Sequence, residues 1–118
     1  MRKAMIFWLF GFTFLISTAY ADVTVKDFTD AKAKGGSDWA MVQLYVFGAG
    51  AAYSNANANL RVVKHQPTLY CQPDHLSMTS ENYANIIEKE IARWDSPRQD
   101  VPIAVVLLSG LQFTFPCK

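Results

Sequence analysis

The chain has 118 residues, of which 51% are hydrophobic and 18% charged, with a formal net charge of +1. This length allows one domain and excludes a multidomain enzyme or a polytopic membrane protein. The composition excludes a disordered acidic or basic tail, because the apolar content is too high for one.

The first 21 residues have the three-part layout of a secretory signal peptide. Two basic residues begin it, an uncharged run follows from Ala4 to Ser17, and Ala19-Tyr20-Ala21 forms an A-x-A cleavage site. The run is shorter than a comfortable bilayer span of roughly 20 residues. We therefore predict a leader over residues 1–21, cleavage after Ala21, and a periplasmic mature protein without membrane insertion.

Residues 22–118 form the predicted mature domain. Removal of the two leader cations leaves 9 Lys and Arg against 10 Asp and Glu, a net charge of −1. This balance provides no basic footprint for nucleic acid and no polybasic segment for an anionic membrane. Both cysteines, Cys71 and Cys117, lie in this part, and two thiols in an oxidising compartment favour one disulfide. The alternatives are two unpaired thiols and an intermolecular bond.

The first predicted helix covers residues 23–34 and the second follows it directly. Gly35-Gly36 separates them, as glycine often does after a helix C-terminus. Ser37 or Asp38 is the predicted cap of the second helix. Its apolar stripe advances in steps of three and four residues, through Trp39, Val42, Val46, Ala49, Tyr53, Ala56 and Leu60.

Small and polar residues interrupt this second helix. Gly48 and Gly50 lower its helix propensity, and we expect close approach of another backbone to compensate. Asparagines at 55, 57 and 59 are poor helix formers, so this end is expected to fray or bend. Partner binding is the alternative role for them. Residues 61–78 are predicted to be irregular because two prolines break the periodicity.

Thr79 is the predicted N-cap of a third helix, with Glu81 in its first turn. Its predicted inner face consists of Tyr83, Ile86, Ile87, Ile91 and Trp94, whereas Glu88 and Glu90 are predicted to lie on a solvated face. Asp100 is the predicted cap of a fourth helix, with Pro102 in its first turn. The apolar run from Ile103 to Leu108 fits a strand or a helix, and we favour a helix because a lone strand would lack a partner. The predicted fold is therefore an all-α, approximately four-helix domain.

The residue inventory predicts no enzyme and no cofactor. His65, Cys71 and His75 match no strong zinc spacing, and we expect the cysteine to be oxidised. Ser77 follows His75 without a nucleophile-elbow pattern, so it is better explained as part of the start of the third helix. Gly48-x-Gly50 lacks the third glycine and the preceding strand of a phosphate-binding loop.

Three short segments resemble a known family. Tyr45-Val46-Phe47-Gly48-Ala49-Gly50 lies on the long helix, Tyr70-Cys71-Gln72-Pro73 precedes the capped third helix, and Phe115-Pro116-Cys117 lies at the C-terminus after the fourth helix. In this order they resemble the Rap/Tai immunity family, small periplasmic proteins that protect bacteria from amidase effectors of type VI secretion. The resemblance covers about residues 39–117.

The resemblance implies an all-α fold, a Cys71–Cys117 disulfide and frequent dimers. It also implies inhibition by occlusion, in which the protein covers the active site of a peptidoglycan amidase and performs no chemistry. A loop between late helices is the usual intruding element in that family. By position this loop corresponds to Asp95, Ser96, Pro97, Arg98, Gln99 and Asp100, although these residues match no family motif.

Two other classes of function remain open from the sequence. One is a small periplasmic acid-stress chaperone with a single disulfide, or another envelope interaction protein. The sequence disfavours the chaperone because the predicted mature chain has few lysines and no cluster of charges that acid would trigger. The other is an enzyme or a small-ligand binder, for which the inventory offers no recognised motif.

Overall fold

A computed structural model describes residues 22–96 and 98–118. They form a single compact all-α domain, which confirms the predicted fold class. The helices are α1 (Val25–Lys34), α2 (Gly36–Ala58), α3 (Ser80–Ala92) and α4 (Ile103–Thr114), and a π-helical turn, Asn59–Val63, follows α2. The apolar run that begins at Ile103 is therefore helix, as we favoured. The predicted leader and Pro97 lie outside the described residues.

Helix α1 starts from a capping box. The Thr24 hydroxyl accepts a hydrogen bond from the Asp27 backbone N–H, and the Asp27 carboxylate accepts one from the Thr24 N–H. Because this box satisfies the free donors of the first turn, the helix starts at Val25, two residues after the predicted position. Its predicted apolar side is buried, with Phe28 only 2% exposed.

Two glycines make the junction between α1 and α2. Gly35 and Gly36 have φ values of 71° and 62°, a left-handed region that other residues rarely adopt. Helix α2 begins at Gly36, and its cap residue, Gly35, makes no side-chain hydrogen bond. The predicted cap at Ser37 or Asp38 is therefore wrong. The two glycines turn the chain directly into α2, and the Asp38 carboxylate, already inside the first turn, pairs with Lys34.

The core lies where α3 packs against α2 and α4. Its largest completely covered side chains are Ile87, Ile103, Leu107, Leu111, Val25, Val46 and Val106. The predicted stripe of α2 faces this core, with Val42 and Val46 buried and Tyr53 packed beside them. The predicted close approach at Gly50 exists, but its neighbour is the Tyr83 ring and not a backbone. A Cβ at position 50 would lie 2.3 Å from that ring.

Helix α3 has the predicted N-cap. Thr79 forms a capping box with Asn82, and Glu81 lies in the first turn. The predicted solvated position of Glu90 is wrong, because this side chain is only 5% exposed. Its carboxylate accepts hydrogen bonds from Ser109 Oγ at 2.7 Å and Arg93 Nη1 at 2.5 Å. Glu90 therefore joins α3 to α4.

The segment before α4 runs alongside the start of α1. Val25 N–H donates to the Val101 carbonyl at 2.9 Å, and Ile103 N–H donates to the Val23 carbonyl at 2.8 Å. Because these bonds hold the segment extended, α4 begins only after Pro102, which occupies the N-cap position. The predicted cap at Asp100 and the predicted first-turn position of Pro102 are both wrong.

The predicted disulfide is present between Cys71 and Cys117, with Cα atoms 5.0 Å apart. It ties the tail after α4 to the loop before α3. Beside it, the Cys71 N–H donates to the Phe115 carbonyl at 2.8 Å. A disulfide of this kind is consistent with an oxidising compartment. Among the helices of residues 22–96 and 98–118, none combines the length and apolarity needed to cross a membrane.

Candidate functional site: the outer face of helix α2

Helix α2 presents large apolar side chains to solvent. Met41, Leu44 and Phe47 are 67%, 66% and 44% exposed, and they lie three residues apart on one side of the helix. Gly48 lies among them. We call Met41, Leu44, Phe47 and Gly48 the α2 outer face. A surface helix normally carries charged and polar residues on its solvent side. This face is therefore unusual for a helix surface that faces water.

The sequence contains a signal for this face that is separate from the apolar periodicity. Trp39 to Leu60 is a run of 22 residues without a single charge. The apolar stripe accounts for the inner side of the helix, but it does not account for the lack of charge on the outer side. A helix that carries large apolar side chains on its outer side as well is expected to have that side covered. In the described residues, other elements cover only the inner side of α2.

Gly48 is a second unusual feature of the α2 outer face. A Cβ at this position would meet no described atom within 4 Å, so packing among the described residues does not require glycine here. Glycine in a helix interior costs about 1 kcal/mol relative to alanine. What glycine offers at an exposed helix position is room for another backbone to approach. This contrasts with Gly50, whose neighbour is the Tyr83 ring.

A groove adjoins the α2 outer face. Leu44 and Phe47 form one wall, and Met78 and Thr79, at the start of α3, form the other, around a volume of about 470 Å³. The Phe47 ring lies edge-on to Tyr83, with ring centroids 6.4 Å apart, which fixes one end of the groove to the core. An exposed apolar face beside a groove of mixed apolar and polar lining is typical of a protein-interaction surface.

The predicted contact loop lies elsewhere on the molecule. Its described side chains are exposed, namely Asp95, Ser96, Arg98, Gln99 and Asp100. The Gln99 carbonyl accepts a hydrogen bond from the Lys26 N–H at 3.1 Å, so the second half of the loop is fixed to α1. The loop follows the C-terminal end of α3, whereas the groove adjoins its N-terminal end. Helix α3 is about 20 Å long, so the two surfaces are separate.

Asn57 connects α2 to the loop before α3. Its side chain donates to the Tyr70 carbonyl at 3.0 Å and accepts from the Leu69 N–H at 2.7 Å. It therefore fixes the loop before α3 to the end of α2. The predicted bend near the asparagines takes the form of the π-helical turn that begins at Asn59.

The side chains that could take part in chemistry are either far apart or already bonded to other groups of the protein. Cys71 is bonded to Cys117, so it has no thiolate to offer a metal. In the part of the chain that the structure describes, no three His, Cys, Asp or Glu side chains are placed to hold a metal ion. Burial raises the pKa of Tyr70 to about 12, so its phenol stays protonated at neutral pH. Tyr53 donates its hydroxyl to the Ala104 carbonyl at 2.7 Å.

Comparison of the chain with protein families, curated proteins and solved structures gives no match.

Proposed function

We propose that this protein acts by binding another protein, and that its partner is a peptidoglycan amidase effector delivered by type VI secretion. The α2 outer face is the observation that carries the binding role, because three exposed apolar side chains and an open glycine form one uncharged surface. The amidase as partner rests on the resemblance to the Rap/Tai family. In this proposal the protein is a periplasmic inhibitor that covers the enzyme and performs no chemistry.

The rigidity of the domain supports an inhibitory role. Tight inhibition at nanomolar dissociation constants needs about −12 kcal/mol of binding free energy. A surface that is already ordered loses little conformational entropy on binding, so more of the contact energy appears as affinity. The disulfide and the hydrogen bonds of Asn57 hold the end of α2 and the loop before α3 in one arrangement.

The chemistry of the α2 outer face specifies the partner's contact surface. The face has no charged residue, so bulk charge does not select the partner. We expect an apolar, uncharged patch on the amidase that excludes water from Met41, Leu44 and Phe47. Such buried apolar anchors supply most of the energy in protein interfaces.

The test is co-purification of the mature chain with the amidase effectors encoded beside its gene, together with rescue of growth when the effector is expressed. We expect Leu44→Glu to abolish both, because it places a charge in the apolar contact. Val63→Glu is the matched control, since Val63 is 62% exposed in the π-helical turn, outside the α2 outer face. Failure of the unmodified chain to bind or protect against any neighbouring effector would refute the amidase as partner.

The Asp95–Asp100 loop is tested separately. If this loop enters the amidase, Arg98→Ala weakens binding by tenfold or more, a loss of about 1.4 kcal/mol. If only the α2 outer face makes contact, Arg98→Ala leaves binding unchanged while Leu44→Glu abolishes it. The two variants therefore separate the loop contact predicted from the resemblance from the contact derived from the structure.

An acid-stress chaperone remains the alternative function. Such a protein exposes further apolar surface when it is acidified, which a hydrophobic dye detects. Retention of compactness and of basal dye binding down to about pH 3 would contradict the chaperone and leave the inhibitor proposal unaffected.

A further inference from the structure

A second concave site lies at the other end of α2, away from the α2 outer face. It is a half-enclosed cavity of about 460 Å³, within the range of small-molecule sites. One wall is a single helix face formed by Ser54, Asn57, Ala58 and Arg61, at positions i, i+3, i+4 and i+7. The other wall is the disulfide-bonded loop before α3.

The backbone is unusual where the helical wall of the cavity ends. The helix ends in the π-helical turn Asn59–Val63, a geometry that is often found at functional sites. His65 follows with a φ of 51°, which is uncommon for a residue other than glycine. The Gln66 N–H donates to the Leu60 carbonyl at 2.9 Å and turns the chain back over the helix end. Arg61 is the residue of this stretch that lines the cavity, so the irregular turn sets the position of its side chain.

The walls of the cavity are fixed before any ligand arrives. Asn57 bonds to the backbone of Leu69 and Tyr70 across the two walls. The Cys71–Cys117 disulfide attaches the loop to the chain after α4, and the Gln112 side chain donates to the Leu69 carbonyl at 3.3 Å. Because the walls of this cavity are already ordered, binding of a ligand costs little free energy for ordering the protein.

The rim of the cavity carries one cation and one anion. Arg61 Nη1 donates to Asp74 Oδ1 at 2.8 Å, and the two side chains are 60% and 79% exposed. This hydrogen bond, with the charge of the guanidinium, holds the pKa of Asp74 below its ordinary value. The contact uses one of the five guanidinium donors and one carboxylate oxygen. The remaining donors and the second oxygen can therefore receive a ligand without loss of the pair.

We propose that this cavity binds a zwitterionic ligand of the amino-acid or short-peptide class. The ligand carboxylate pairs with free donors of Arg61, and its ammonium group pairs with the second oxygen of Asp74. Pro73 and Leu76 provide apolar contact for its side chains. Asp74 opposes a multivalent anion such as phosphate, because its negative charge lies beside the cation. This site is separate from the α2 outer face and does not depend on the partner-binding function.

The experiment is calorimetric titration of the disulfide-bonded mature chain with alanine, Ala-Ala and Ala-Ala-Ala. We expect saturable binding of at least one of them with a dissociation constant of about 1 mM or below. The N-acetyl and C-terminal amide forms of that ligand each remove one charge, and we expect each to bind at least tenfold more weakly. Inorganic phosphate is titrated in parallel and is expected not to bind.

Three variants assign any binding to the rim. Arg61→Gln and Asp74→Asn are expected to weaken it at least tenfold while circular dichroism shows an unchanged helix content. Lys64→Gln is the matched control, because it removes a neighbouring charge from a residue that does not line the cavity. The proposal is overturned if none of the three zwitterions binds, if the blocked forms bind equally well, if phosphate binds as tightly, or if both rim variants bind as the unmodified chain does.

Discussion

The two glycines in the middle of α2 lie two residues apart and face opposite environments. Gly50 is buried against Tyr83, where a Cβ would approach ring carbons to 2.3–2.7 Å, whereas the side of Gly48 is open. At Gly50 an aromatic ring occupies the space that a Cβ would need, whereas at Gly48 no described atom occupies it.

This contrast predicts opposite effects of one substitution. Gly50→Ala is expected to lower the free energy of unfolding by about 1–3 kcal/mol, because Tyr83 must move in a packed core. Gly48→Ala is expected to raise it by up to about 1 kcal/mol through helix propensity alone. Urea unfolding followed by circular dichroism measures both. Equal effects of the two substitutions on the free energy of unfolding would contradict the packing of Gly50 against the Tyr83 ring.

At the scale of elements, α1 and α3 both begin with a capping box, but the two boxes use different residue types. Thr24 is paired with the Asp27 carboxylate at the start of α1, whereas Thr79 is paired with the Asn82 amide at the start of α3. Only the box of α1 contains a titratable group, the Asp27 carboxylate. The hydrogen bond from the Thr24 backbone N–H, followed by that from its hydroxyl, holds the pKa of Asp27 below its ordinary value.

Asp27→Asn gives α1 the capping chemistry of α3 and is expected to reduce the acid sensitivity of folding. Because the folded-state pKa of Asp27 is lowered, its stabilisation is present above the unfolded-state value of about 3.9. That stabilisation is lost as the pH falls through the folded-state pKa. The variant is therefore expected to be less stable at pH 7, by less than about 1 kcal/mol because the carboxylate is exposed.

Urea unfolding at a series of pH values tests this expectation. The difference in unfolding free energy between the unmodified chain and Asp27→Asn should shrink as the pH falls below about 4. Asn82→Asp is the converse variant and should make the α3 box sensitive to acid. A difference that stays constant, or grows, with acidification would show that the Asp27 carboxylate is not stabilised by Thr24.

At the scale of the whole molecule, the disulfide joins the last residues of the chain to the loop that bounds the proposed ligand cavity. The sequence separation of the two cysteines is 46. Closing a loop of this length lowers the entropy of the unfolded chain, which stabilises the folded state by about 4 kcal/mol in the chain-entropy model. That is a large part of the net stability of a small domain.

The double variant Cys71→Ser with Cys117→Ser is expected to lower the unfolding free energy by about 4 kcal/mol at an unchanged helix content in water. Reduction of the unmodified chain should give the same loss, which serves as the control for the serine substitutions. Urea unfolding measures both. A loss below about 1 kcal/mol in each case would mean that the hydrogen bonds around Cys71 already fix the loop.

Local signals predicted the elements well and their boundaries less well. Spacings of three and four residues correctly predicted the inner faces of α1, α2 and α3, because burial repeats with the helix period. Thr79 was predicted as a cap because the capping bonds lie within four residues of sequence. The cap predicted at Ser37 or Asp38 was wrong for a local reason, because Gly35 and Gly36 turn the chain so that α2 already begins at Gly36. The cap predicted at Asp100 was wrong because of a tertiary contact, since the start of α1 holds the segment before α4 extended.

The sequence by itself determined the helical class and the inner faces, because periodicity and capping act locally. It favoured a bond between Cys71 and Cys117, which the structure then showed. The tertiary structure decided that Glu90 is covered, that Gly48 and Leu44 are open, and that Arg61 meets Asp74 at a cavity. These features depend on which helix faces remain unpaired after packing. That outcome is set by the whole arrangement of the chain, which no local pattern contains.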